Sequence, residues 1–145
     1  MKKIWMVCFL LFGLSACFDN SKTLTCKLKK NNKETIVTAT YEDGIISDMK
    51  YTMITTLDKE TLSLVGDKED VEESLRKSVK VFEEKGVVVD ASYDNKKHKS
   101  KLVINIDINE IDIDSYAKYA IPADKGIGKL VKSYEIQEFD CKKIK

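Results

Sequence analysis

The chain has 145 residues, 25 Lys+Arg against 24 Asp+Glu, one proline and six glycines. That size suits a single domain with its own core, and so little proline and glycine excludes a long disordered linker. The balanced charge excludes a whole-surface pull toward nucleic acid.

Lys2 and Lys3 precede an apolar run from Ile4 to Ala16 that ends in Leu14-Ser15-Ala16-Cys17. A basic start, a short apolar core and small residues before a cut are the parts of a secretory signal, and this tetrapeptide reads as a lipobox. Residues 1–16 are expected to be removed and Cys17 acylated. The run is shorter than the ~20 apolar residues of a spanning helix, whereas two acyl chains suffice for stable anchoring. The mature chain then keeps 129 residues with 23 basic and 24 acidic side chains. Residues 17–22 form a tether, whose five residues after Cys17 reach about 17 Å when extended. Residues 23–145 form the domain.

From Thr23 to Lys30, Leu24, Cys26 and Leu28 alternate with polar residues, as in a half-buried strand. Asn31-Asn32 turns into a second strand from Glu34 to Glu42, and Asp43-Gly44 is a hairpin signal. The third strand, Ile45 to Leu57, puts Met49, Tyr51 and Met53 on one face and Asp48, Lys50 and Thr52 on the other. The period then changes. Asp67 is placed to cap a helix from about Lys68 to Lys85, with an apolar stripe at Val71, Leu75, Val79 and Phe82 and a closing Gly86. Val87 to Asp94 and Lys101 to Ile108 read as strands four and five. The apolar phase slips after Ile108, which predicts a bulge or turn at Asn109-Glu110. Asp112 or Asp114 then caps a short helix ended by Pro122. The stretch from Lys129 to Gln137 is readable as helix or as extended chain. The expected fold is α+β: about five antiparallel strands in β-β-β-α-β-β-α order, with helices on one face.

Cys26 and Cys141 are the two cysteines left once Cys17 carries lipid and Cys8 is removed. In an oxidising compartment an even pair invites a bridge, here between the first strand and the end of the chain. Two buried, reduced cysteines are the alternative. A bridge would draw Lys142 and Lys143 toward Lys27, Lys29 and Lys30, making a basic patch that could face an anionic membrane. Lysines that merely keep exposed strands soluble are the simpler account.

Asp107, Glu110, Asp112 and Asp114, with Asn109, form the densest oxygen cluster, a weak candidate for a hard cation. The run fails the EF-hand pattern, and alternating Ile-Asp also arises from a half-exposed strand leading into a capped helix. His98, the single histidine, sits among Lys96, Lys97 and Lys99 and reads as a solvated turn residue. No nucleophile elbow, phosphate-cradling loop or Cys-x-x-Cys pair occurs. These residues point away from an enzyme and imply no metal and no cofactor.

The chain resembles the YehR-like family of small uncharacterised bacterial lipoproteins over nearly its full length. The residues that carry the likeness are the lipobox ending in Cys17, Thr23-Leu24-Thr25-Cys26, Val71-Glu72-Glu73-Ser74-Leu75, Gly86-Val87, Leu102 to Asp107, and Cys141-Lys142. The stretch from Asp58 to Gly66 and that from Pro122 to Gly128 depart from the pattern. The resemblance implies an α+β fold and a lipid-anchored envelope protein, and it brings no catalytic residues. The expected function is a non-enzymatic binding module, held to the membrane by acylated Cys17 outside the cytoplasm. Its partner would be an envelope protein or small ligand, not nucleic acid. The alternatives are a structural or stress-related lipoprotein without a ligand, and a hydrolytic or cation-binding protein.

Overall fold

A computed structural model describes residues 20–144. Cys17 and the segment before it lie outside the described residues. The strands are β1 (Lys22–Lys30), β2 (Lys33–Glu42), β3 (Ile45–Thr56), β4 (Val87–Asp94), β5 (Lys99–Asp107) and β6 (Asp140–Ile144). They form one antiparallel sheet in the order β4-β5-β3-β2-β1-β6. The helices are α1 (Lys59–Leu64), α2 (Lys68–Val79) and α3 (Ile127–Ile136), with 3₁₀ turns at Lys80–Phe82, Ile113–Ser115 and Ala117–Tyr119.

The alternation read from the sequence sets one face inward. Leu24 and Cys26 of β1, Val37 and Ala39 of β2, Met49 of β3, and Ile104 and Ile106 of β5 are buried together. Ile127, Leu130 and Tyr134, at helical spacing on α3, close over them with Tyr116, Tyr119 and Ile121. Leu130 is fully buried, and hiding such a side chain contributes roughly 1.5–3 kcal/mol. Between Thr40 and Tyr41 the register of β3 jumps from Asp48 to Ile46, so Ser47 is an extra residue. This bulge lets both Ile46 and Met49 face the core, a phase change that strict alternation would forbid.

Helix α2 begins at the expected cap. Asp67 accepts from the backbone of Glu69 and Asp70, and the Asp70 side chain returns a bond to the Asp67 N–H. The helix ends at Val79 rather than near Lys85, because a 3₁₀ turn and an extended stretch carry the chain to β4. Its buried residues Val71 and Val79 lie on the side that packs against β4. The turn at Asn109-Glu110 is present, and Asp112 caps the first following 3₁₀ turn.

The α+β fold with an antiparallel sheet of about five strands is as expected, with a sixth strand added where residues 140–144 pair with β1. The stretch after β3 contains α1, capped by Asp58, whose carboxylate accepts from the Thr61 N–H at 2.8 Å. The undecided stretch from Lys129 to Gln137 belongs mostly to α3.

Candidate functional site

Helix α3 and the 3₁₀ turns cover the inward face, so the reverse face of the sheet stays open. The register aligns its side chains in rows across the strands. Thr25, Thr38, Lys50, Asn105 and Val88 form one row, and Thr23, Thr40, Asp48 and Asp107 the next. Where β2, β3 and β5 meet the start of β4, the face hollows into a cleft of about 480 Å³. Its polar lining is Thr38, Thr40, Asp48, Lys50, Asn105, Asp107 and Glu110, beside the apolar Met49, Val87, Val88 and Ile106.

The sheet holds these groups on a stiff backbone. Asp48 accepts from the Ser47 hydroxyl at 2.6 Å, and Asp107 accepts from the Asn109 N–H at 2.9 Å. Asp48 and Asp107 face each other directly across β3 and β5, a like-charge pairing that costs stability in a sheet. The Asp107 N–H donates to the Gly86 carbonyl at 2.8 Å and ties the wall of the cleft to β4. Gly86 has φ +78°, and a Cβ there would lie 2.8 Å from the Ile111 nitrogen and from the Glu110 and Ile111 side chains. Only glycine fits that conformation and that approach.

A second hollow, about 260 Å³, lies on the helix side between Tyr51, Phe82, Ile104, Tyr119 and Tyr134. Tyr51 donates to the Tyr119 carbonyl and its hydroxyl lies 2.7 Å from that of Tyr134. Burial pushes both the Tyr51 and Tyr134 hydroxyls up, so they stay protonated and serve as packing with satisfied polar ends. Beside them Glu84 accepts from the Ser115 hydroxyl and the Tyr119 hydroxyl, each at 2.5 Å, and from the Lys118 ammonium at 3.0 Å. Those three donors, Ser115 foremost, hold the Glu84 carboxyl down to about 2. Lys118 also donates to the Val81 carbonyl at 2.6 Å and lies over the Phe82 and Tyr119 rings. The cluster fastens the stretch that follows α2, at Val81 to Glu84, to the 3₁₀ turns at Ile113–Ser115 and Ala117–Tyr119; sequence reading missed it, since its members are some 30 residues apart.

Of the acidic residues named from the sequence, Asp107 and Glu110 both line the cleft on the open face. Asp107 and Asp112 accept from backbone N–H groups two residues ahead, and Glu110 pairs with Lys85 at 2.9 Å. Among the described residues no group of three or more His, Cys, Asp or Glu is placed to hold a metal ion. His98 is exposed on its turn, with Nδ1 3.5 Å from the Tyr93 hydroxyl.

Cys26 and Cys141 face each other in the β1–β6 register with their sulfurs 2.04 Å apart, at bonding distance. The same register places the lysines of the expected basic patch along β1 and β6. Lys142 and Lys143 stand opposite Thr25 and Leu24, near the start of β1. Lys29 and Lys30 stand at the other end of β1, with Lys27 between the two groups. Leu24, opposite Lys143, and Lys30 are six residues apart, about 20 Å of strand, and alternation sets Lys142, Lys27 and Lys29 on one face with Lys143 and Lys30 on the other. Lys30 pairs with Glu138 at 2.6 Å. Among the described residues no helix is long and apolar enough to cross a membrane.

No protein-family model and no curated protein matches the chain. Solved structures do. The NMR structure of the E. coli YehR protein aligns with a TM-score of 0.68 at 16% identity, covering 88% of this chain and 95% of that one. The fold is YehR-like. An NMR structure of a protein from Streptococcus pneumoniae TIGR4 aligns with a TM-score of 0.58 at 12% identity, over 84% of each chain. At such identities the likeness is one of backbone arrangement.

Proposed function

We propose that the protein is a lipid-anchored lipoprotein of the YehR-like kind, working outside the cytoplasm as a non-enzymatic binding module at the cell envelope. Acylation of Cys17 would hold it to the membrane, and a Cys26–Cys141 disulfide would suit an oxidising compartment. One observation carries the binding reading: the sheet face left uncovered is hollowed, its lining mixes apolar side chains such as Met49, Val88 and Ile106 with charged ones, and Asp48 and Asp107 stand opposite each other there against their like charge. Such a cost is kept where a ligand offsets it, and a cationic or hydrogen-bonding group on an envelope protein or small molecule would do so here.

Two measurements test the reading. Mass spectrometry of the protein recovered from its host should find fatty acid on Cys17, absent in Cys17→Ala. Protein that lacks lipid and washes free in buffer defeats the anchoring. Crosslinking in intact cells from a photoreactive residue at position 105 should capture one recurrent species, lost in Asp48→Asn/Asp107→Asn. Capture that is unchanged in that variant, or no recurrent species at all, defeats the cleft and favours a lipoprotein without a ligand.

A further inference from the structure

The turns that close the β1–β2 and β4–β5 hairpins lie at the same end of the sheet, opposite Lys22. The exit of β3 passes between them and is tied to both. Thr56 N–H donates to the Asn32 carbonyl at 2.8 Å, and the Asn32 side-chain amide donates to the Thr56 carbonyl at 3.0 Å. Leu57 N–H donates to the His98 carbonyl at 2.8 Å. The near arms of the two turns, β2 and β5, are therefore fixed about 10 Å apart, two strand spacings.

Each turn brings exposed lysines, Lys29 and Lys33 on one side and Lys96, Lys97 and Lys99 on the other. The acids nearby are engaged: Asp94 accepts from the Lys96 and Lys97 N–H groups, and Glu138 takes Lys30. Between the turns is a notch of about 70 Å³ walled by Lys29, Asn31, Asn32, Lys33, Thr56 and Lys99, with Glu34 its one carboxylate. That is space on the scale of a small tetrahedral anion. The overall charge near zero conceals this segregation of sign.

We propose that this notch binds an oxyanion of the phosphate class, with Lys29, Lys33 and Lys99 supplying the charge and Asn31 a neutral donor. Lysine ammonium groups are mobile point charges, so the rigidity comes from the stitched turns beneath them. Ligation is salt-sensitive, since the contacts are exposed and the Debye length is about 10 Å at 0.1 M. The site is independent of the cleft on the open face.

The test uses the full chain, isotope-labelled in a non-ionic detergent, titrated at low salt and followed by its amide NMR signals. Three probes distinguish the sources: inorganic phosphate, linear polyphosphate, and glycerol phosphate as the soluble part of a lipid headgroup. Saturable shifts confined to residues 29–33, 56 and 97–99 are expected. The probe that binds at least tenfold tighter than the others names the source, and equal affinities assign the free anion. Lys33→Ala/Lys99→Ala should weaken binding at least tenfold with melting unchanged. Lys29→Gln alone should weaken it about threefold, and Lys68→Ala/Lys129→Ala should leave it as it was. No saturation with any probe, shifts spread over all surface lysines, or equal affinity in Lys33→Ala/Lys99→Ala and Lys29→Gln overturns the proposal.

Discussion

Opening the Cys26–Cys141 link is the perturbation whose size can be worked most directly. The two residues are 115 apart in the chain, so a bond between them closes nearly the whole domain into one loop. For a loop of that length, chain entropy gives a stabilisation of about 4.8 kcal/mol at 25 °C. Domain stabilities run about 5–15 kcal/mol, so the bridge would be a large share of the total. The described domain has about 125 residues, and at about 2.1 cal/mol/K per residue its unfolding entropy turns that loss into a fall in Tm of about 18 °C. Cys141→Ser is the better variant, because Cys26 is fully buried and would place an unpaired hydroxyl in the core if it were changed. Circular dichroism melts of the wild type with and without reductant should differ by that amount. Cys141→Ser should melt like the reduced wild type and ignore reductant. Wild type that melts at one temperature in both conditions, or that titrates with two free thiols, refutes the reasoning.

Gly86→Ala should lose about 2–3 kcal/mol in chemical denaturation, because a left-handed backbone and a 2.8 Å approach to the Ile111 backbone both oppose a Cβ; a loss under 1 kcal/mol would contradict it. Glu84 titrates near 2 in the fold against an ordinary 4.5, so its contribution is complete above about pH 4.5 and disappears as pH falls toward 2. Denaturation at pH 6 and pH 2.5 should therefore show a smaller acid loss for Glu84→Gln than for wild type, and equal losses would refute the assignment. Tyr51→Phe removes the donor to the Tyr119 carbonyl and should cost about 1–2 kcal/mol, measured by urea denaturation at pH 7; a neutral result would show that carbonyl to be satisfied otherwise.

How much of this was legible depended on where each signal is stored. β1 to β5 and α2 were readable because alternation, caps and turn residues are local. β6 was not: Asp140-Cys141-Lys142-Lys143 has no apolar alternation, being an edge strand held by one neighbour and guarded by lysines. α1 buries no residue, so it carries no stripe, and its one signal is the Asp58 cap. α3 has its stripe at Ile127, Leu130 and Tyr134 but starts at Gly126 without a side-chain cap, which left its conformation open. Asp48 and Lys50 could be named as open-face residues from strand parity alone. Their meeting with Thr38, Asn105 and Asp107 needed the pairing of three strands, which no local pattern encodes.

The β1–β6 pairing also has a mechanical meaning. Thr23 stands opposite Ile144, so both ends of the folded chain leave the sheet at one corner, and tension between them peels the two strands apart rung by rung. With the sulfurs joined, peeling stops at the fourth rung, Cys26 opposite Cys141, and the load passes to the cross-link while the four strands beyond β1 stay unloaded. Pulling the two ends apart would then yield a short frayed corner and nothing more.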